Sequence, residues 1–212
     1  KAVLETCRRL GWKPDVIHCN DWQTALIPLF LKELYQKDHF FAHTRSVFTI
    51  HNLAYQGSFA KSTYEKTELP GKLWSTMENG GKMNFVKAGI MHADAVTTVS
   101  PTYAREILTP SHGFGLEGVL KKQKDKLFGI LNGVDTEVWN PQTDKLIDTK
   151  YTSASLEGKF ENKTELASSF GFDAELDVPV IVMIGRMVEQ KGYDLVVKEI
   201  EAIAGLGAHF IV

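Results

Sequence analysis

Short apolar runs rich in β-branched residues alternate along this chain with stretches of helical periodicity, and a polar cluster follows almost every run. Val16 to Cys19, Val47 to Ile50, Ala95 to Ser100, Leu127 to Leu131 and Val178 to Ile184 read as strands, and His209 to Val212 as a further one. Between them, residues 24–35, 84–93, 116–123 and 193–204 carry helical spacing, and Pro101 opens a helix at its favoured first position. Parallel strands need a crossover of about a dozen residues, usually helical, whereas antiparallel ones can turn in two. This alternation therefore predicts an α/β fold: a Rossmann-like, doubly wound parallel sheet covered by helices.

The pattern lapses twice. Residues 57–81 hold Pro70 and four glycines and read as loops with short helices. Residues 136–177 lose all strand character and keep only scattered aromatic anchors such as Trp139, Tyr151 and Phe160. The expected organisation is one doubly wound domain over 1–142, mostly present, a linker over 143–177, and the first β-α-β unit of a second domain over 178–212. The opening helix has no strand before it, and the last strand is cut short. A buried parallel strand needs neighbours, so the chain is expected to be part of a longer polypeptide.

Composition narrows the partners. Apolar residues make up 43% and charged residues 24% of 212, ordinary for a globular chain. With 24 Lys and Arg against 26 Asp and Glu, no basic surplus favours nucleic acid. The longest apolar runs fall far short of the ~20 residues a membrane span requires. Cys7 and Cys19 form neither a close pair nor a metal-ligand cluster, and no apolar leader opens the chain, so a reduced, cytoplasmic setting is expected. No zinc-spaced Cys/His set, P-loop or Asp-x-Asp occurs, and neither metal nor organic cofactor is expected.

Ligands of open parallel sheets bind outside the carboxyl ends of the strands. Asn20, Asp21 and Trp22 follow the first strand; His51, Asn52, Tyr55 and Gln56 the second; Asn132 and Asp135 the fourth; Gly185, Arg186, Gln190 and Lys191 the strand near the end. Any one cluster reads equally as a solvated cap or turn. Four at the same kind of position read as a pocket. The loop from Gly185 to Gly192 has the clearest chemistry, because backbone N–H groups, a guanidinium and an ammonium ahead of a helix suit a diphosphate. Gly113-Phe114-Gly115-Leu116-Glu117-Gly118 matches the dinucleotide fingerprint by letter, but turn sequence rather than a strand precedes it. It reads as a hinge, a helix start or a loop over the pocket. His18, His39, His43, His92, His112 and His209 read as ordinary core or surface.

Five segments together carry a resemblance: Val16 to Gln23, Phe48 to Gly57, Ala95 to Pro101, Gly129 to Asp135 with Trp139-Asn140-Pro141, and Gly185-Arg186-Met187 with Gln190-Lys191-Gly192. In this order they resemble the bacterial glycogen synthase and plant starch synthase family. The resemblance implies a GT-B fold, two Rossmann-like domains facing across a cleft. It implies a hexosyltransferase that moves glucose from ADP-glucose to the non-reducing end of an α-1,4-glucan with retention, in the bacterial cytoplasm. Arg186 and Lys191 match the cation pair on the donor diphosphate, and His51 the histidine beside the transferred sugar. Asp21, Asn52 and Asn132 match positions lining the glucose and acceptor pocket. Trp22 and Tyr55 are either apolar walls for sugar faces or simple packing. The family's Gly-rich, Lys-containing loop would lie before Lys1 and its glutamate motif after Val212, so this chain alone is expected to be inactive. Two other readings are a GT-B transferase using UDP-glucose and a non-catalytic glucan-binding module.

Overall fold

The computed structural model describes residues 1–67, 69–173 and 177–212, and its contacts divide between Gly133 and Val134 into two units. Residue 68 of the irregular stretch and residues 174–176 of the expected linker lie outside the described residues.

The first unit is built on four parallel strands in the order β1-β2-β6-β7: β1 is Val16–Asn20, β2 Arg45–Ile50, β6 Ala95–Thr98 and β7 Leu127–Gly129. The register sets Cys19 against Phe48, Phe48 against Val96, and Thr98 against Gly129. Parallel pairing brings the carboxyl ends of all four strands to one edge, which is where the polar clusters emerge. Helices α1 (Ala2–Arg9), α2 (Leu26–Glu33), α3 (Phe85–His92), α4 (Pro101–Glu106) and α5 (Glu117–Lys122) accompany them, together with shorter ones. Leu4 of α1, Phe48 of β2, Ile90 of α3 and Leu120 of α5 are fully or almost fully buried in one core. Two caps start helices where the sequence changes period. Ser100 Oγ accepts the Tyr103 amide at 2.9 Å ahead of α4, and Asn84 Oδ1 accepts the Lys87 amide at 2.8 Å ahead of α3. Gly89 lets α3 approach the sheet, since a Cβ there would sit 2.8 Å from Phe48 Cε1.

Inside the sheet, His18 Nε2 lies 2.6 Å from Thr49 Oγ1, which lies 2.5 Å from Thr97 Oγ1. This chain of polar groups crosses three strands and gives His18 a partner that its isolated position in the sequence conceals.

The irregular stretch is more ordered than expected. Ser58–Phe59 (β3), Glu78–Asn79 (β4) and Lys82–Asn84 (β5) form a small antiparallel sheet in the order β3-β5-β4, with short helices at Lys61–Glu65 and Trp74–Met77. Strands of two and three residues are too short to show a two-residue period, which is why the pattern hides them. A second cluster, with Leu29, Met77 and Met83 at its centre, holds this sheet against α2 and α3.

In the second unit, β8 (Val180–Val182) pairs in parallel with β9 (His209–Ile211), joined through α7 (Tyr193–Lys198) and α8 (Ile200–Ala204). The single helix expected over 193–204 breaks at Glu199. Ahead of them runs α6 (Glu157–Ser169), which groups with this unit. Asn162 of α6 donates to the Thr149 and Gly158 carbonyls and accepts the Thr149 amide, tying the preceding loop down.

Candidate functional site

β1 and β2 deliver their polar ends side by side, because Asn20 pairs in register with Thr49, two residues before His51. Asp21 then departs from ordinary backbone, with φ of 55°, a left-handed conformation that Asp tolerates better than most residues. The turn aims its carboxylate across to β2, where Oδ1 accepts the His51 amide at 2.9 Å. His51 Nε2 lies 3.0 Å from Asn20 Oδ1. His51 is therefore held at both backbone and ring by the end of β1. Strain at such a position is a common mark of a functional site.

The chain after His51 is pinned just as closely. Asn52 Oδ1 accepts the Ala54 amide at 3.0 Å, and the Leu53 amide donates to the Tyr103 hydroxyl at 3.1 Å. Leu53 is fully buried, and burial raises the Tyr103 phenol above its ordinary range. Beyond this turn opens a groove of about 620 Å³ lined by Trp22, Tyr55, Gln56, Ser58, Phe59 and Phe114, among others. Trp22 is only partly exposed, and its ring packs 5.9 Å from Phe59 and 6.2 Å from Phe85 between centroids. Tyr55 is 56% exposed. Trp22 is thus both a packed residue and a wall, while Tyr55 is a wall alone.

Gln56 ties the groove to the fold. Its Oε1 accepts from Asn84 Nδ2 at 2.6 Å, and its Nε2 donates to the Phe114 carbonyl at 3.0 Å. In the sequence Gln56 falls in a strand-end cluster and Phe114 in the segment that reads as a hinge, a helix start or a loop over the pocket, whereas Asn84 carries no site reading. The available signals were the helix cap at Asn84 and the Gly-Phe-Gly turn. That turn is the start of α5, with Phe114 and Gly115 both at positive φ, and it also borders the groove.

Asn132 lies exposed beyond β7, where the Ile130 amide extends the pairing by donating to the Thr98 carbonyl at 2.8 Å. It shares the carboxyl edge of the sheet with His51 and Asp21, two strands away from β2. Asp135, from the same strand-end cluster, closes a local turn by accepting the Glu137 and Val138 amides at 3.0 Å.

Arg186 and Lys191 belong to the second unit, in the loop between β8 and α7. The Tyr193 hydroxyl donates to the Gly185 carbonyl at 3.1 Å, Glu189–Lys191 forms a 3₁₀ turn, and Gly192 at φ of 78° starts the helix. Both cations are exposed, and among the described residues neither has an ion-pair partner. A cationic loop without an acidic partner suits an anion brought by a ligand. A concavity in this unit, about 340 Å³ and bordered by Tyr151, Phe160 and Val182, holds two of the aromatic anchors but none of the candidate site residues. Among the described residues, no group of three or more His, Cys, Asp or Glu is placed to hold a metal ion, and no helix is long and apolar enough to cross a membrane.

Residues 1–122 match the family model described as the starch synthase catalytic domain. Over its whole length the chain is 48% identical to glycogen synthase 2 of Geobacter sulfurreducens and 46% identical to glycogen synthase of Thermodesulfovibrio yellowstonii. It covers 44% and 43% of those two proteins. Among solved structures it is similar to the catalytic domain of starch synthase IV from Arabidopsis thaliana bound to ADP and acarbose, with a TM-score of 0.89 and 37% identity over the whole of this chain and 44% of that one. The chain thus spans less than half the length of the relatives it matches.

Proposed function

The chain belongs to the starch synthase catalytic-domain family, and on that footing we propose that the protein transfers glucose from ADP-glucose to the non-reducing end of an α-1,4-glucan with retention of configuration. The observation that carries this reading is the Asp21–His51 bond. It joins two strand-end clusters, 30 residues apart, into one rigid rim beside an aromatic groove. In this reading the rim takes the sugar. The His51 carbonyl and ring stand beside the transferred glucose, and Asp21, Asn52 and Asn132 meet its hydroxyls and those of the acceptor. Trp22 and Tyr55 cover apolar sugar faces.

Arg186 and Lys191 act on the donor diphosphate. As the glycosidic bond to the leaving oxygen lengthens, negative charge grows on the diphosphate, and a pre-placed guanidinium and ammonium stabilise it without reorganisation. The Tyr193–Gly185 bond and the turn at Gly192 hold that loop in shape beforehand. The ADP held by starch synthase IV supports the adenine donor. The same reading places the protein in the bacterial cytoplasm, in keeping with its bacterial relatives and with two free, buried cysteines.

The test is glucan elongation by the whole protein, with ADP-glucose and UDP-glucose compared as donors. Replacing Lys191 by Ala should cut kcat by about a hundredfold or more, the loss seen when one charge-stabilising donor is removed, and should leave maltoheptaose binding unchanged. Near wild-type transfer by Lys191→Ala refutes the diphosphate assignment. Faster turnover of UDP-glucose refutes the donor.

A further inference from the structure

Phe114 stands between the helical turn Pro110–Gly113 and α5, in left-handed backbone at φ 48° and ψ 37°. A side chain with a Cβ is disfavoured there, and Phe lacks the short polar group that lets Asp or Asn compensate locally. The surroundings hold the turn instead. Gln56 Nε2, 58 residues away in sequence, donates to the Phe114 carbonyl at 3.0 Å. Gln56 and the residue after it are fixed at three points on the start of α3. Asn84 Nδ2 donates to its Oε1 at 2.6 Å, the Val86 amide donates to its carbonyl at 3.2 Å, and the Phe85 amide donates to the next carbonyl, of Gly57, at 3.1 Å. Asn84 is fully buried and caps α3 with its other side-chain atom. The strained turn is thus anchored to the capped start of α3.

What the anchoring achieves is the placement of one ring. Phe114 is 52% exposed, although burying an aromatic ring of its size would be favourable, and it borders the groove with Trp22, Tyr55 and Phe59. A pyranose ring has apolar C–H faces and a hydroxyl edge. Aromatic walls with Gln56 and Ser58 between them match that division. At about 620 Å³ the groove falls in the ~300–1,000 Å³ range of small-molecule sites. It runs on from the rim through Trp22, next to Asp21, and Tyr55, three residues after Asn52.

The geometry points to Phe114 as a specificity-determining residue for the glucan acceptor, packing on a sugar ring of the acceptor chain, and to Gln56 as the positioning residue that holds it there. This rests on the reading that the rim and groove take a glucan. Phe114 governs acceptor binding and leaves the donor untouched.

The experiment uses the whole protein and two readouts, maltoheptaose binding by calorimetry and the KM values for maltoheptaose and ADP-glucose. Phe114→Ala should weaken maltoheptaose binding and raise its KM about tenfold, as loss of an anchoring aromatic contact does, with the KM for ADP-glucose within about twofold. Phe114→Leu keeps bulk without the ring and should lose most of the same affinity, while Phe114→Trp should retain it. Gln56→Leu should weaken maltoheptaose binding in the same direction, about threefold. Unchanged maltoheptaose binding in both Phe114→Ala and Phe114→Leu overturns the inference, as does an equal rise in the donor KM. If the wild-type protein binds maltoheptaose but transfers no glucose, the proposed reaction fails and the binding arm still decides the role of Phe114. If the wild type does not bind maltoheptaose, the inference falls.

Discussion

Gly57 and Gly80 share a backbone φ of 59°, and the comparison between them isolates what holds Trp22 in the groove wall. A Cβ at Gly80 would meet nothing within 4 Å, whereas at Gly57 it would lie 2.6 Å from Trp22 Cε3 and 2.9 Å from Cδ2. Gly80→Ala therefore reports only the cost of left-handed backbone, about 1–2 kcal/mol. Gly57→Ala incurs the same cost plus overpacking of the indole, about 1–3 kcal/mol. The indole could yield only by giving up its contacts with Phe59 and Phe85. The expected difference between the two variants is thus about 1–3 kcal/mol, a sizeable part of the 5–15 kcal/mol that holds an ordinary domain folded. Urea unfolding followed by circular dichroism measures it. Both positions lie in the first unit, so any contribution from the second cancels. Gly57→Ala should also weaken maltoheptaose binding, and Gly80→Ala should not. Equal stability losses in the two variants, within about 0.5 kcal/mol, would refute the claim that Gly57 fixes Trp22.

Three further expectations concern the rim and the core. Asp21→Ala leaves a left-handed residue without its carboxylate and removes the charge-assisted bond to the His51 amide, a loss of about 2–4 kcal/mol by urea unfolding; Asp21→Asn keeps an acceptor and tolerates the backbone, and should stay within about 1 kcal/mol of wild type. Burial pushes the Cys19 thiol up from 9.0 to about 11, so at pH 8 a thiol reagent should label Cys19 only after unfolding. The folded chain keeps that proton longer, so the contribution is fully present below pH 9.0 and is lost as pH rises through about 11. Burial also lowers the pKa of His92, whose Nε2 lies 2.9 Å from Thr76 Oγ1. Below pH 6.5 the unfolded chain binds a proton that the folded one resists, so stability is lost as pH is lowered there, and His92→Gln should flatten urea midpoints between pH 7 and 5.

Trp22 and Tyr55 illustrate where reading the residues alone stops. Both were open between packing and sugar contact, and no spacing rule separates the two. Burial shows only which ring is packed, since Trp22 shares a ring cluster with Phe59 and Phe85 while Tyr55 stands exposed in the groove wall. The small sheet of β3, β4 and β5 was missed for a related reason, because its strands take their identity from each other across up to 26 residues rather than from any internal period.

The order of strands and helices, the caps at Asn84 and Ser100, the polar strand ends and the cationic loop were all written locally. Each depends on residues within a few positions of one another, where side-chain periodicity and backbone preference act directly. The bond from Asp21 to His51, the polar chain through His18, Thr49 and Thr97, and the latch from Asn84 through Gln56 to Phe114 were decided only by tertiary structure. They join groups tens of residues apart, and such pairs exist only once strand register and helix packing have brought their backbones within a hydrogen bond of each other.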